Sequence, residues 1–197
     1  TIIMFNIQKF NEIREKLEKH NNSGKIVAIS KNHPLESVLE AIDQGVYIFG
    51  ENRVQEAKTK FAKIKKDNPK IELHLTGPLQ SNKARDALLL FDVFHTVDRE
   101  KIAKEFSKHQ KLLLNKKFFV QINTGREKTK SGIFPEDVKD FLLFLKNEIK
   151  YIPWCDYVAS ETESINENLL YLNKNGYLTI NSQPRINGMS SDSKHGW

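Results

Sequence analysis

The feature that most constrains this chain is a repeated alternation of short apolar runs and amphipathic helical stretches across its first 150 residues. Lys25-Ile26-Val27-Ala28-Ile29-Ser30 reads as a buried strand. Pro34 opens a helix and Gly45 closes it, with Leu35, Val38, Leu39 and Ile42 on one face between them. Tyr47–Gly50 is a second strand, and Val54, Ala57, Phe61 and Ile64 stripe the helix that follows. Leu73–Gly77, Val93–Val97 and Phe118–Asn123 repeat the pattern, with helices expected from about Asn82, near Arg99–Lys108 and from Pro135. Phe10, Ile13 and Leu17 stripe an opening helix. Five strand–helix units with short connections imply a parallel sheet backed by helices.

Two architectures satisfy that order, an open doubly wound sheet and a closed barrel. No glycine-rich dinucleotide turn follows the first strand; Ser30-Lys31-Asn32-His33-Pro34 stands there instead, and no P-loop pattern occurs. This favours the barrel, whose chemistry sits at the C-terminal strand ends. Those ends carry Ser30-Lys31, Gly50-Glu51-Asn52-Arg53, Gly77-Pro78, Asp98 and Asn123-Thr124-Gly125, while His74 and His95 lie within strands. A lysine at an apolar rim is a candidate amine nucleophile toward aldehydes; its bland reading is a solvated lysine at a strand end. Asn52 reads equally as a helix N-cap, and the strand histidines as hydrogen-bonded core residues. No Cys/His cluster has zinc spacing and no Gly-x-Ser-x-Gly elbow is present.

Charge and cysteine content narrow the setting. The net charge is +6, carried by scattered lysines rather than a basic cluster, so nucleic-acid binding is not expected. One cysteine, Cys155, permits no internal disulfide and fits a reducing compartment. No membrane span or leader-like start is recognisable, so a cytoplasmic protein is expected. Residues 1–150 hold 28 basic and 20 acidic side chains, whereas residues 151–197 hold 3 and 5. That shift divides the chain into a barrel-like unit, 1–150, and an atypical segment, 151–197, too small for a core of its own.

Several blocks resemble the pyridoxal phosphate homeostasis protein family. They are Ala28-Ile29-Ser30-Lys31, Phe49 through Glu56, His74 through Lys83, His95-Thr96-Val97-Asp98, Gln121-Ile122-Asn123 and Lys130-Ser131-Gly132-Ile133. They fall in family order across residues 5–145. The resemblance implies a (β/α)8 TIM-type barrel like the N-terminal domain of alanine racemase, incomplete here after the fifth or sixth unit. It implies pyridoxal 5′-phosphate (PLP) as cofactor, held by Lys31 as a Schiff base, with Asn52 and His74 in the pocket. The implied role is a PLP carrier and regulator of vitamin B6 and amino-acid pools, with PLP-dependent apo-enzymes as partners and no robust catalysis. A PLP-dependent racemase or lyase is the enzymatic alternative.

The expected phosphate-binding ending is replaced after Lys150. Gly188-Met189-Ser190-Ser191-Asp192 is similar to the family's phosphate turn, which makes Ser190 and Ser191 the candidate phosphate ligands. Ile152–Asp156, Asn175–Pro184 and His195-Gly196-Trp197 instead resemble the C-terminal regulatory region of methylenetetrahydrofolate reductase. A chimeric C-terminus is therefore expected, with a regulatory fragment as a third functional reading. Five or six units leave a barrel edge open, so low stability and weak PLP retention are expected.

Overall fold

A computed structural model describes residues 5–19, 24–149 and 178–180. The element order is α1 (Ile7–Lys19), β1 (Ala28–Ile29), α2 (Leu35–Asp43), β2 (Ile48–Glu51), α3 (Val54–Asp67), β3 (Glu72–Leu75), α4 (Ala84–Leu90), β4 (Val93–Val97), α5 (Glu100–Ser107), β5 (Lys117–Gln121), α6 (Val138–Glu148) and β6 (Leu178–Ile180). All six strands are parallel and lie side by side in chain order. Sequential order is that of a (β/α) barrel; a doubly wound sheet reverses direction at a switch point. The described strands supply six of such a barrel's eight, and β1 and β6 are its edges.

The sequence expectation for β1 to β5 and their helices holds to within a few residues. The local reasons are visible at α2. Pro34 precedes the helix at φ −69°, and Gly45 ends it at φ +83°. The Gly45 and Val46 amides donate to the Ile42 and Ala41 carbonyls, which satisfies the helix C-terminus through a left-handed glycine.

One face of the sheet is sealed by helices. Phe49, Leu73, Leu75, Phe94, Phe118 and Val120 point to that side and pack with Ala57, Phe61, Leu88, Ile102, Phe106 and Leu142. Phe94 stacks on Phe118 at 5.1 Å between ring centres and meets Phe106 edge-on at 5.2 Å. Each such ring removed from water contributes roughly 2–3 kcal/mol.

The strand run Leu178–Ile180 lies beyond the charge seam at residue 150. It hydrogen-bonds along β5, with Leu178 opposite Phe119 and Ile180 opposite Gln121. The β5 edge is thus covered by a strand from the C-terminal segment. The Gly188–Asp192 fragment, with Ser190 and Ser191, lies outside the described residues.

Candidate functional site

The face of the sheet away from the helices carries a row of residues, one from each of β1 to β5. An added Cβ on Gly50 would come within 2.5 Å of Ile29 Cδ1 and 3.3 Å of Thr76 Cγ2, so β1 and β3 close over this glycine. Gly50 is paired in register with His74, His74 Nδ1 lies 2.7 Å from His95 Nε2, and the His95 ring packs on Phe119 at 5.0 Å. Ile29, Gly50, His74, His95 and Phe119 therefore form a row that steps two residues toward the rim between β3 and β4, where His74 is in register with Val93 and reaches His95 by its side chain. Lys31 and Asn52 stand two residues beyond Ile29 and Gly50, at the C-terminal rim.

Lys31 occupies a tight turn. The His33 amide donates to the Ser30 carbonyl at 3.1 Å, enclosing Lys31 and Asn32, and Asn32 takes the left-handed φ of 61°. Asparagine tolerates that conformation better than branched residues. Lys31 is half-buried, and its ammonium has no ion pair or hydrogen bond among the described residues.

Asn52 does not serve as a helix cap. The N-cap position of α3 falls on Arg53, and no side chain bonds the helix end. Instead the Asn52 Oδ1 is buried with no donor. The end of β3 presses against it: a Cβ on Gly77 would lie 2.4 Å from the Asn52 carbonyl oxygen and 2.7 Å from its Cβ. Only glycine permits this approach. The Gly77 carbonyl in turn accepts a 2.7 Å hydrogen bond from the Thr96 hydroxyl.

His74 sits one row deeper than Asn52, buried and with both ring nitrogens engaged. Its Nε2–H donates to Glu72 Oε1 at 3.0 Å, so in the neutral ring Nδ1 accepts from His95 Nε2–H. Burial pushes the pKa of His74 down against the pull of Glu72. Burial and the neighbouring His74 push His95 down to about 4. Both rings are therefore neutral at pH 7. Burial would raise the Glu72 carboxyl, but its bond to His74 and the charges of Lys117 and Lys25 outweigh this and hold it below the usual range.

Beneath the Lys31 turn lies a cluster the sequence does not single out. Lys60 of α3 is buried on the same helix face as Val54, Ala57 and Phe61. Its ammonium contacts Glu51 Oε1 at 2.5 Å and Glu56 Oε1 at 2.8 Å, and donates to the Ser30 carbonyl at 2.6 Å and the His33 carbonyl at 3.2 Å. The Ser30 hydroxyl donates to Glu51 Oε1 at 2.7 Å. Burial raises the Glu51 carboxyl, opposed by its bonds to Lys60 and Ser30. The available signal was a lysine on an apolar helical stripe, three residues from Ala57 and one from Phe61.

The rim beyond β5 is also ordered by one side chain. Asn123 Nδ2 donates to the Glu127 carbonyl at 2.8 Å and to the Lys130 carbonyl at 3.3 Å. Its amide donates to the Ile133 carbonyl at 2.8 Å. The blocks Gln121-Ile122-Asn123 and Lys130-Ser131-Gly132-Ile133 thus form one bonded unit.

As chemistry, the described rim offers a half-buried amine without a partner and a buried amide oxygen without a donor. Both fit a cofactor bearing an aldehyde and ring hydrogen-bonding groups. Among the described residues no cluster of three or more metal-ligating side chains forms, and no helix is long and apolar enough to cross a membrane.

The alanine racemase N-terminal domain model matches residues 6–170, across the charge seam. The pyridoxal phosphate homeostasis protein of Vibrio cholerae is 39% identical over 128 residues, 64% of this chain and 54% of that protein. Its Haemophilus influenzae counterpart is 37% identical over 159 residues, 75% and 65% of the two chains. The chain thus spans between half and two thirds of these relatives. PipY of Synechococcus elongatus without PLP is 29% identical, with a TM-score of 0.68 over 86% of this chain and 82% of its own. PipY with PLP bound superposes with a TM-score of 0.62 over 84% and 85%, again at 29% identity. The alanine racemase of Acinetobacter baumannii, at 16% identity and a TM-score of 0.56 over 85% of this chain and 51% of its own, shares the fold alone. The parallel strand order, the rim lysine and the matched span agree: the chain belongs to the alanine racemase N-terminal domain family.

Proposed function

We propose that this chain binds PLP through Lys31 and acts in vitamin B6 and amino-acid homeostasis rather than as a robust catalyst. The carrying observation is the half-buried Lys31 amine, unpaired among the described residues, in a fixed turn at the C-terminal rim of β1. PLP-bound PipY and the homeostasis proteins named above support the reading. PLP when bound supplies an electrophilic aldehyde and an electron-withdrawing ring.

The roles of the chain's own residues follow from their surroundings. Lys31 holds the aldehyde end. Asn52, whose Oδ1 lacks a donor, would help to hold the cofactor from the end of β2. His74 shapes the pocket floor from one row below; its nitrogens are both engaged, so it holds the floor instead of moving protons. Ser190 and Ser191 are proposed as phosphate ligands, and PLP-dependent apo-enzymes as recipients of the cofactor. Catalysis at a substrate Cα needs an opposed acid and base. Among the described residues, the two carboxylates braced under the Lys31 turn, Glu51 and Glu56, are occupied by Lys60.

The test is visible absorption after PLP addition, before and after borohydride, in wild type and Lys31→Ala. A new band, made permanent by borohydride and missing from the variant, is expected. Equal bands in both proteins remove Lys31 from its role. Sustained exchange of the Cα hydrogen of an amino acid would favour the racemase or lyase reading.

A further inference from the structure

We infer that Lys60, with Glu51 and Glu56, is a positioning device that locks the Lys31 turn, so that the amine is presented by an ion cluster on the helix side of the sheet. The inference rests on the reading that Lys31 holds the cofactor.

The sheet itself holds the turn only at its first residue, where the Ser30 amide donates to the Gly50 carbonyl at 2.9 Å. β1 contributes only two paired residues, and Lys31 follows Ser30 at the open end of an edge strand. The turn contains a left-handed asparagine at φ 61°, a conformation disfavoured for residues with a Cβ. Three contacts from α3 brace it. Lys60 Nζ donates to the carbonyls of Ser30 and His33, the first and last residues of the turn. Glu56 Oε1 accepts the Asn32 amide at 2.7 Å, one turn of helix before Lys60. Glu51 completes the clamp by accepting from Lys60 and from the Ser30 hydroxyl. Both ends and the middle of the turn are thus tied to one helix face.

The same cluster ties the turn to Asn52. Glu51 immediately precedes Asn52, and its carbonyl accepts the Thr76 amide at 2.8 Å and the Thr76 hydroxyl at 3.2 Å. Glu51 therefore reaches Lys60 with its side chain while its backbone fixes the rim on which Asn52 sits. Lys60 adds a second tie between Lys31 and Asn52 to the direct bonds of Ser30 with Gly50 and Glu51. None of the three cluster residues needs to touch the cofactor, and their effect is on how often the rim is competent.

A structural role and a positioning role separate experimentally. A buried ion pair replaced by neutral groups of similar size often leaves stability unchanged. The Glu51→Gln/Lys60→Met double variant removes the buried Glu51–Lys60 charges and the donors to Ser30 and His33, while Glu56, 27% exposed, loses Lys60 but keeps the Asn32 amide and access to water. Three measurements on the full chain decide the matter: the melting temperature, amide hydrogen exchange without cofactor, and titration with PLP read at its visible band. Expected are exchange at Asn32 and His33 faster by about tenfold or more, with exchange in β3 and β4 unchanged, and PLP binding weaker by about tenfold. Single Lys60→Arg, which keeps a donor, should recover part of both. Unchanged exchange at Asn32 and His33, or unchanged PLP binding in a variant whose turn has loosened, overturns the inference. If wild type shows no Lys31-dependent band, the cofactor reading falls, while the exchange rates still decide whether Lys60 locks the turn.

Discussion

Two lysine–carboxylate clusters sit at opposite ends of the same sheet, built from similar side chains to different effect. At the C-terminal rim Lys60 and Glu51 are 7% and 0% exposed, and their bonds end on the turn that carries Lys31. At the N-terminal end Asp92 accepts from Lys65 at 2.5 Å and lies 3.6 Å from Lys116, with all three partly open to water. Those lysines also donate to the Leu90 and Phe91 carbonyls, which tie down the end of α4. Burial lowers Lys116 against the pull of Asp92. The lower cluster staples elements where barrels place stability, and the upper one organises the end where barrels place chemistry. Depth separates them more than residue type: a charge removed from water is costly to leave unpaired, whereas one near the surface can find solvent.

The sharpest break of that comparison is Lys60→Ala, which strands the Glu51 carboxylate inside the fold. A loss on the order of 3–5 kcal/mol in urea unfolding is expected at pH 7. Glu51 already has a raised pKa, so its proton uptake relieves the deficit as pH falls toward 4.5; a pH-independent deficit would contradict the assignment.

The histidine row gives the next effect. His95 titrates near 6.5 unfolded and about 4 folded. Its neutral form supports stability above pH 6.5, and that support drains as pH falls through the window between the two values. The decline amounts to on the order of 3 kcal/mol. His95→Phe should flatten the unfolding free energy across that window, and persistence of the slope would assign it elsewhere.

Gly77→Ala should cost roughly 1–3 kcal/mol, because the new methyl meets the Asn52 backbone. It should also weaken PLP binding by displacing Asn52, measured by the same titration as for wild type. The smallest effect belongs to the lower cluster. Lys65→Ala is expected to cost about 1 kcal/mol, since its partner is partly solvated, with PLP binding unchanged. A binding defect there would erase the distinction between the two ends.

Much of this was legible beforehand for local reasons. Periodicity marks α3 and α5 because helix packing demands a stripe, and Pro34 and Gly45 bracket α2 because each restricts or frees the backbone at one position. Lys31 stands out because strand ends in a parallel sheet converge, whereas Asn52, equally readable there as a helix cap, is singled out by the family-like Phe49–Glu56 block. The N-cap alternative for Asn52 was settled only by its neighbours, which leave its Oδ1 enclosed and unused. The pairing of His74 with His95 was equally invisible, because it depends on the register between β3 and β4. Leu178-Thr179-Ile180 stands outside the regular strand–helix alternation, and its place on β5 is a matter of sheet pairing.

The order of strands, the helical stripes and the rim position of Lys31 are written in the chain, since each depends on residues within a turn or a strand of one another. Lys60 is different. It is one of 25 lysines, and locally only its place on the Val54–Ala57–Phe61 stripe marks it. Its role exists only because α3 folds back onto the sheet and sets its ammonium beside Ser30, thirty residues earlier. Folding alone brings that charge, two carboxylates and a turn into a space with little water, where the attraction between them becomes strong enough to hold a backbone in place.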